Sequence, residues 1–247
     1  MSPRADTMER IKMKIDNKLT QNCCDYVANL SARPLTVTEY IRETSENKGV
    51  YLILKRVMDV IGATFALLIL FPLFIITALA IKLDSKGNVI YSQIRIGKNG
   101  RPFTMYKFRS MCQDADAKLP DLQNLNERDG PVFKITRDPR VTKVGQFIRA
   151  TCIDELPQLV NILKGEMSIV GPRPPLPNEV AQYSSHHMKR LTITPGLTCY
   201  WQISDRKMTF AEWVESDLKY IRDQNLKIDL EIILKTILII FHSQGAK

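Results

Sequence analysis

Between Val60 and Ile81 the chain runs for 22 residues without a charge, VIGATFALLILFPLFIITALAI. About 20 apolar helical residues cross a hydrocarbon core of ~30 Å, so the segment is long enough to enter a bilayer. The alternative, a buried core helix, is one that few chains of 247 residues need at this length. Pro72 stands near the middle, where it removes a helical hydrogen bond and crowds the preceding turn. Each arm is then about 15 Å long, half of what a span requires. Basic residues flank both ends, Lys55 and Arg56 before and Lys82 and Lys86 after. Positive charge marks the cytoplasmic end of a membrane helix, and here it asks both ends to stay on one side. Two readings stand: a helix that enters, breaks at Pro72 and returns, or a proline-kinked helix that spans. The first requires partners at membrane depth for the carbonyls that Pro72 frees.

This segment divides the chain into residues 1–50, 51–84 and 85–247. In the first part Met8, Ile11, Ile15 and Leu19 recur at near-helical spacing, and Thr36 with Glu39 fits a capping box. These features suit an extension of surface-packing helices rather than a separate domain. Its opening residues are too polar for the apolar core of a signal peptide. The third part holds the polar chemistry. Asn99-Gly100 between two apolar-rich arms predicts a two-residue hairpin turn. Alternation along the second arm puts Lys107 and Arg109 on one face, as a phosphate clamp or as a basic sheet edge. Residues 112–130 read as a polar loop or short helix. Leu156, Leu159, Val160 and Leu163 mark a helix ended by Gly165, with Thr151 or Asp154 as its cap. The sequence GPRPP then forces an extended turn that carries Arg173. The terminal stretch LKIDLEIILKTILIIFH suits a helix in the membrane interface or one packed on the core.

Thirty-five Lys and Arg against 26 Asp and Glu give a formal net charge of +9, which favours an anionic partner. Charge alone does not choose among nucleic acid, anionic lipid and a phosphorylated metabolite. Five cysteines form no CxxC pair and have no histidine at zinc spacing, which excludes a zinc ribbon and points to a reducing, cytoplasmic environment. The three histidines show no acid–base or metal pattern. Trp201 suits a half-buried core position or a platform for a nucleotide base.

Against this basic background Asp154 and Glu155 stand side by side. Acidic residues in a first helical turn are ordinary, so the pair alone reads as structural. Its chemical reading needs company. A helix start with Arg149 one turn upstream welcomes phosphate. A pyrophosphate arrives with Mg²⁺, which takes one or two carboxylates. One carboxylate then holds the metal while the other attacks phosphorus, and Lys107, Arg109, Arg149 and Arg173 neutralise phosphate charge.

Five stretches occur in order: LKRVMDV, YSQIRIGKNGRPFTMYKFRSM, DPRVTKVGQFIRAT, IDELPQLVNILKGEMSIVGPRP and TPGLTCYWQIS. Together they resemble the bacterial sugar transferase family, the monotopic polyprenol-phosphate phosphoglycosyl transferases, over roughly residues 52 to 240. The resemblance implies an α+β, helix-rich monotopic membrane protein with a re-entrant helix-break-helix at Pro72, a small β-hairpin and interfacial amphipathic helices. It implies transfer of sugar-1-phosphate from a nucleotide diphosphate sugar, usually a UDP-sugar, to undecaprenyl phosphate, with release of the nucleoside monophosphate. Asp154 would become covalently phosphoglycosylated and Glu155 would assist at an Mg²⁺-dependent centre, the two serving as metal ligands. Lys107, Arg109, Arg149 and Arg173 would meet substrate phosphate. The expected place is the cytoplasmic face of a bacterial inner membrane, and the expected partners are the donor, the lipid acceptor and the bilayer. Nucleic acid is not expected, and a homodimer is left open. Phe71, Cys199 and Asp205 stand where the family often has Ser, Gly and Gly. The polar first 50 residues suit a short form of the family. A non-catalytic membrane-bound adaptor is the alternative reading.

Overall fold

The computed structural model describes residues 48–204 and 208–242, so the helical spacing at Met8–Leu19, the Thr36–Glu39 box, Cys23, Cys24 and Asp205 lie outside it. Helix α1, Gly49–Asp84, contains the apolar segment and runs through Pro72 as a single helix. Its buried residues, Lys55, Asp59, Ala63, Thr77 and Ile81, fall within an arc of roughly 80° on a helix of 3.6 residues per turn. The opposite face leaves Phe65, Leu68, Ile69, Phe71 and Ile76 more than half exposed. No fully buried residue lies between Ala63 and Thr77, the stretch that holds Pro72.

Both halves of α1 are fastened to one folded body. At the N-terminal end Lys48 Nζ donates to the carbonyls of Ile221 and Arg222, at 3.1 and 2.7 Å. Lys55 Nζ donates to Asp229 Oδ2 at 2.9 Å, and Tyr51 and Tyr220 give their hydroxyl protons to the same carboxylate. Arg56 donates to the carbonyls of Ile162 and Leu163, and Asp59 accepts from the Ile169 amide at 2.9 Å. At the other end Ile81 packs with Phe108 and Ile148, and Asp84 Oδ2 accepts from the Val144 amide at 3.1 Å.

The body begins with an antiparallel pair, β1 Ile90–Ile96 and β2 Pro102–Phe108, in register from Ile90 opposite Phe108 to Ile96 opposite Pro102. The Gly97 amide adds a bond to the Arg101 carbonyl, leaving Lys98–Gly100 as the turn. The turn therefore has three residues rather than the two expected, with Asn99 and Gly100 both at positive φ. A polar segment follows, with a single short 3₁₀ element at Pro120–Leu125. Helix α2, Lys143–Ala150, is capped by the Thr142 side chain on the Gly145 amide. Helix α3, Gln158–Lys164, ends at Gly165 in the left-handed region, as its sequence position demands. Leu159 and Ile162 face the core, whereas Val160 is turned outward, because a seven-residue helix wedged against β2 buries only one side.

A parallel pair, β3 Ser168–Val170 and β4 Gly196–Thr198, lies at the centre. Its backbones come so close that a Cβ on Gly196 would sit 2.0 Å from the Gly171 nitrogen. Short helices α4 (Pro177–Val180), α5 (Ser185–Met188) and α6 (Tyr200–Ile203) lead into α7, Phe210–Asp223, and α8, Leu226–His242. Of the two readings left open for α8, packing on the core is seen on one face, and the other face is left apolar and exposed. Ile232 is fully buried on the core, while Leu230, Leu234 and Leu238 are more than half exposed on the other face. The architecture is helix-rich α+β, with one long apolar helix at the start of the described chain and a small antiparallel sheet.

Candidate active site

The site is assembled where β2 ends. Lys107 is the penultimate residue of the strand, and its ammonium reaches Glu155 Oε1 at 2.6 Å. Past the strand Ser110 receives α2, with its carbonyl accepting from the Thr142 amide at 3.1 Å. Gly145 makes this approach possible, since a Cβ there would lie 2.0 Å from the Ser110 oxygen. One turn further along α2, Arg149 Nε donates to Ser110 Oγ at 2.8 Å, which fixes the guanidinium beside the carboxylates.

Helix α2 stops at Thr151, and Cys152 takes a left-handed conformation at φ 56°. That reversal carries Ile153–Glu155 through a 3₁₀ turn, with Asp154 inward and Glu155 toward Lys107. Neither Thr151 nor Asp154 caps α3: Thr151 closes α2, Asp154 lies within the turn, and Pro157 precedes the first residue of α3. The sequence pattern missed this because it treats the helical region as continuous, and the left-handed Cys152 divides it.

Asp154 is only 8% exposed. Burial pushes its carboxyl up to about 6; Lys107 and Arg149 pull it down, and the like charge of Glu155 pushes it up further. A carboxylate in this state is poorly solvated and close to cations, a favourable condition for a nucleophile or a metal ligand.

Beside the dyad an open cleft of about 140 Å³ is lined by Lys107, Glu155, Gln158, Arg173, Trp201 and Gln202 among others. Arg173 stacks on Trp213 at 5.5 Å and contacts Glu179 at 3.3 Å, so it stands on the wall of the cleft as the rigid proline turn requires. Arg95 also lines the cleft, anchored by a 3.0 Å bond to the Pro174 carbonyl. Burial, with the like charge of Arg173, pushes Arg95 down to about 9, so it remains a cation at neutral pH.

Five of the six sequence-derived polar candidates thus gather here: Asp154, Glu155, Lys107, Arg149 and Arg173. Arg109 does not join them. Strand β2 ends at Phe108, and the Arg109 guanidinium instead donates to the carbonyl and hydroxyl of Ser85, at 2.8 and 3.0 Å, just past the end of α1. Pro72 is remote from the dyad in its chemistry, standing on the exposed apolar face of α1. Sequence reasoning missed Arg95 and Gln158 as cleft residues. The signals available were strand alternation for Arg95 and the four-residue spacing from Asp154 for Gln158.

No cluster of three or more His, Cys, Asp or Glu that could hold a metal ion forms among the described residues. Two adjacent carboxylates beside a cationic cleft do fit Mg²⁺, which uses one or two carboxylates and completes its shell with water and substrate phosphate. The three histidines play no visible part. His186 pairs with Glu215 on the surface, His187 packs on Phe210, and the side chain of His242 lies outside the description. Cys112 and Cys199 are free thiols.

Comparison with known proteins gives a consistent picture. Residues 50–243 match a family described as Bacterial sugar transferase. The chain is 46% identical over 199 residues to the Galactosyl transferase CpsE of Streptococcus agalactiae serotype III, covering 80% of this chain and 44% of that protein. It is 39% identical over 222 residues to the Exopolysaccharide production protein ExoY of Sinorhizobium fredii, covering 87% and 98%. It is 41% identical over 199 residues to the UDP-glucose:undecaprenyl-phosphate glucose-1-phosphate transferase of Escherichia coli K12, covering 76% and 40%. The chain therefore spans less than half of two of these relatives and nearly all of the third.

Proposed function

The chain belongs to the bacterial sugar transferase family, and from that premise we propose that it transfers a sugar-1-phosphate from a UDP-sugar to undecaprenyl phosphate. The observation that carries the proposal is the buried Asp154 carboxylate beside the Glu155–Lys107 pair and Arg149, next to a cleft with Arg173 on its wall.

In the first step an Asp154 oxygen attacks the donor phosphorus that carries the sugar. A P–O bond forms to the carboxylate, the P–O bond to the nucleotide breaks, and UMP leaves with that electron pair. In the second step an oxygen of the lipid phosphate attacks the same phosphorus and expels the Asp154 carboxylate. The product is a polyprenol-linked diphosphate sugar, the starting lipid for exopolysaccharide, capsule or O-antigen assembly. Lys107, Arg149 and Arg173 receive the phosphate charge. Glu155 holds Lys107 in place and offers the second carboxylate to the metal. Mg²⁺ bound at the dyad would supply charge neutralisation for the pyrophosphate. The contact of Arg109 with Ser85, just past α1, supports a role with the lipid phosphate rather than with the donor.

The lipid acceptor requires a membrane-bound enzyme. One body grips α1 near both ends, and its apolar middle around Pro72 is the part least covered. This supports the re-entrant reading, in which both ends of α1 and the body stay on the cytoplasmic face. The exposed apolar face of α8 supports burial of that helix in the same interface.

The test is incubation with a panel of UDP-sugars, undecaprenyl phosphate and Mg²⁺, measuring UMP and lipid-linked sugar. Release of UMP with a lipid product is expected. Free sugar phosphate would indicate a phosphohydrolase, and consumption of no donor would favour the adaptor reading.

A further inference from the structure

From Ile153 to Lys164 the backbone is right-handed helical, Leu156 and Pro157 included. Asp154, Gln158 and Asn161 are all buried, on the side of this stretch turned to the interior. Asn161 bolts this face to β2: its Oδ1 accepts from the Tyr106 amide at 3.1 Å, and its Nδ2 donates to the Thr104 carbonyl at 2.7 Å. Gln158, between the bolt and the nucleophile, has neither task. Its side chain lines the cleft, it is 3% exposed, and its Nε2 finds no hydrogen-bond partner among the described residues. A buried amide donor left unpaired is costly and uncommon, and at the wall of a ligand cleft it marks a group that the ligand completes.

We propose that Gln158 reads the transferred sugar, donating through Nε2 to one of its hydroxyl groups. The inference rests on the transferase reading above. The position selects the sugar over the nucleotide. Gln158 lines the cleft together with Glu155, the residue next to Asp154, so the amide stands close to the attacking carboxylate. The phosphorus bonded to Asp154 carries the sugar through one oxygen, whereas the uridine lies one phosphate further away. The sugar also stays on Asp154 after UMP has left, so a donor fixed at this place orients it in both steps. The surroundings fit a polyol: the Gln202 amide and the Trp201 ring line the same cleft as the apolar walls of Met105 and Leu197. Buried polar groups built to pair with a substrate hydroxyl discriminate strongly against an analogue that lacks it.

The experiment uses the full chain in detergent with Mg²⁺ and undecaprenyl phosphate. Wild type is first run on a panel of UDP-hexoses and UDP-N-acetylhexosamines, then on the singly deoxygenated analogues of its preferred donor. Removal of one particular hydroxyl is expected to lower kcat/KM roughly tenfold or more. In Gln158→Met, which keeps the length and loses the donor, kcat/KM for the preferred donor falls by a similar factor and the penalty for that deoxy analogue disappears. Inhibition by UMP stays within about twofold of wild type. Three results would overturn the inference. The first is a wild type that tolerates every deoxy analogue, a result that needs no variant to fold. The second is a Gln158→Met variant that loses rate yet keeps the full deoxy penalty, which would make Gln158 a mere support for Asp154. The third is UMP inhibition that weakens in parallel, which would assign the amide to the nucleotide. Wild type that consumes no UDP-sugar at all would instead refute the transferase reading.

Discussion

Replacing Asp154 with asparagine is expected to make the folded protein more stable while removing its activity. In the unfolded chain the carboxyl ionises near its ordinary 3.8, and in the fold burial moves it up to about 6. The fold therefore holds a proton that the unfolded chain has released between those two values. Stability is highest below 3.8, falls as pH rises through about 6, and is flat above that. At about 1.4 kcal/mol per pH unit, the displacement corresponds to about 3 kcal/mol of stability lost at neutral pH. The Asp154→Asn substitution deletes this pH-dependent contribution and keeps the shape of the side chain. At pH 7.5 in EDTA the variant should unfold later than wild type by roughly 6–12 °C, taking 2–4 °C per kcal/mol for a chain of this size. At pH 4.5, where wild type is largely protonated in the fold, most of the difference should vanish. Tryptophan fluorescence during thermal unfolding in detergent provides the assay, through Trp201 and Trp213. Added Mg²⁺ should raise the midpoint of wild type alone. A variant that melts below wild type at pH 7.5, or an equal difference at both pH values, would refute the electrostatic account of this carboxylate.

Three further outcomes test other parts of the structure. Lys55→Met strands the fully buried Asp229 charge and should cost about 3–5 kcal/mol, with partial recovery in Lys55→Met/Asp229→Leu; thermal unfolding of both variants checks this. Gly145→Ala must push α2 off Ser110, carrying Arg149 with it, so UMP release should fall about 100-fold while the protein still fractionates with membranes. Single cysteines at Val50 and Lys86, in a chain cleared of its own cysteines, should both resist a membrane-impermeant thiol reagent applied outside intact cells. Labelling at either position would show that α1 spans.

Much of this molecule is legible in the sequence where one residue type decides the backbone. The charge-free run specifies α1, Gly165 specifies the end of α3, and the prolines around Arg173 specify an extended turn on the cleft wall. The dyad is visible as a pair, and its cationic company is visible as a motif order. What escapes is decided by contacts between distant segments. Strands β3 and β4 have three residues each, too few for a periodic signal, and they exist because Gly171 and Gly196 let two backbones meet. Arg109 follows Lys107 by two, yet the strand ends between them and Ser85 takes its guanidinium. The left-handed Cys152 turns Asp154 inward ahead of α3, and nothing in its residue type requires that conformation. Gln158 looks like one more helix residue until its place on the cleft wall gives its unpaired amide a meaning.

The proposed chemistry turns on a covalent bond between Asp154 and the phosphosugar. Its most direct measurement is intact-protein and peptide mass spectrometry after incubation with Mg²⁺ and the preferred UDP-sugar, with no lipid acceptor present. A covalent aspartyl intermediate predicts one sugar-phosphate adduct on the peptide containing Asp154, absent in Asp154→Asn and discharged when undecaprenyl phosphate is added. Full turnover by Asp154→Asn, or an adduct on a different residue, would contradict it.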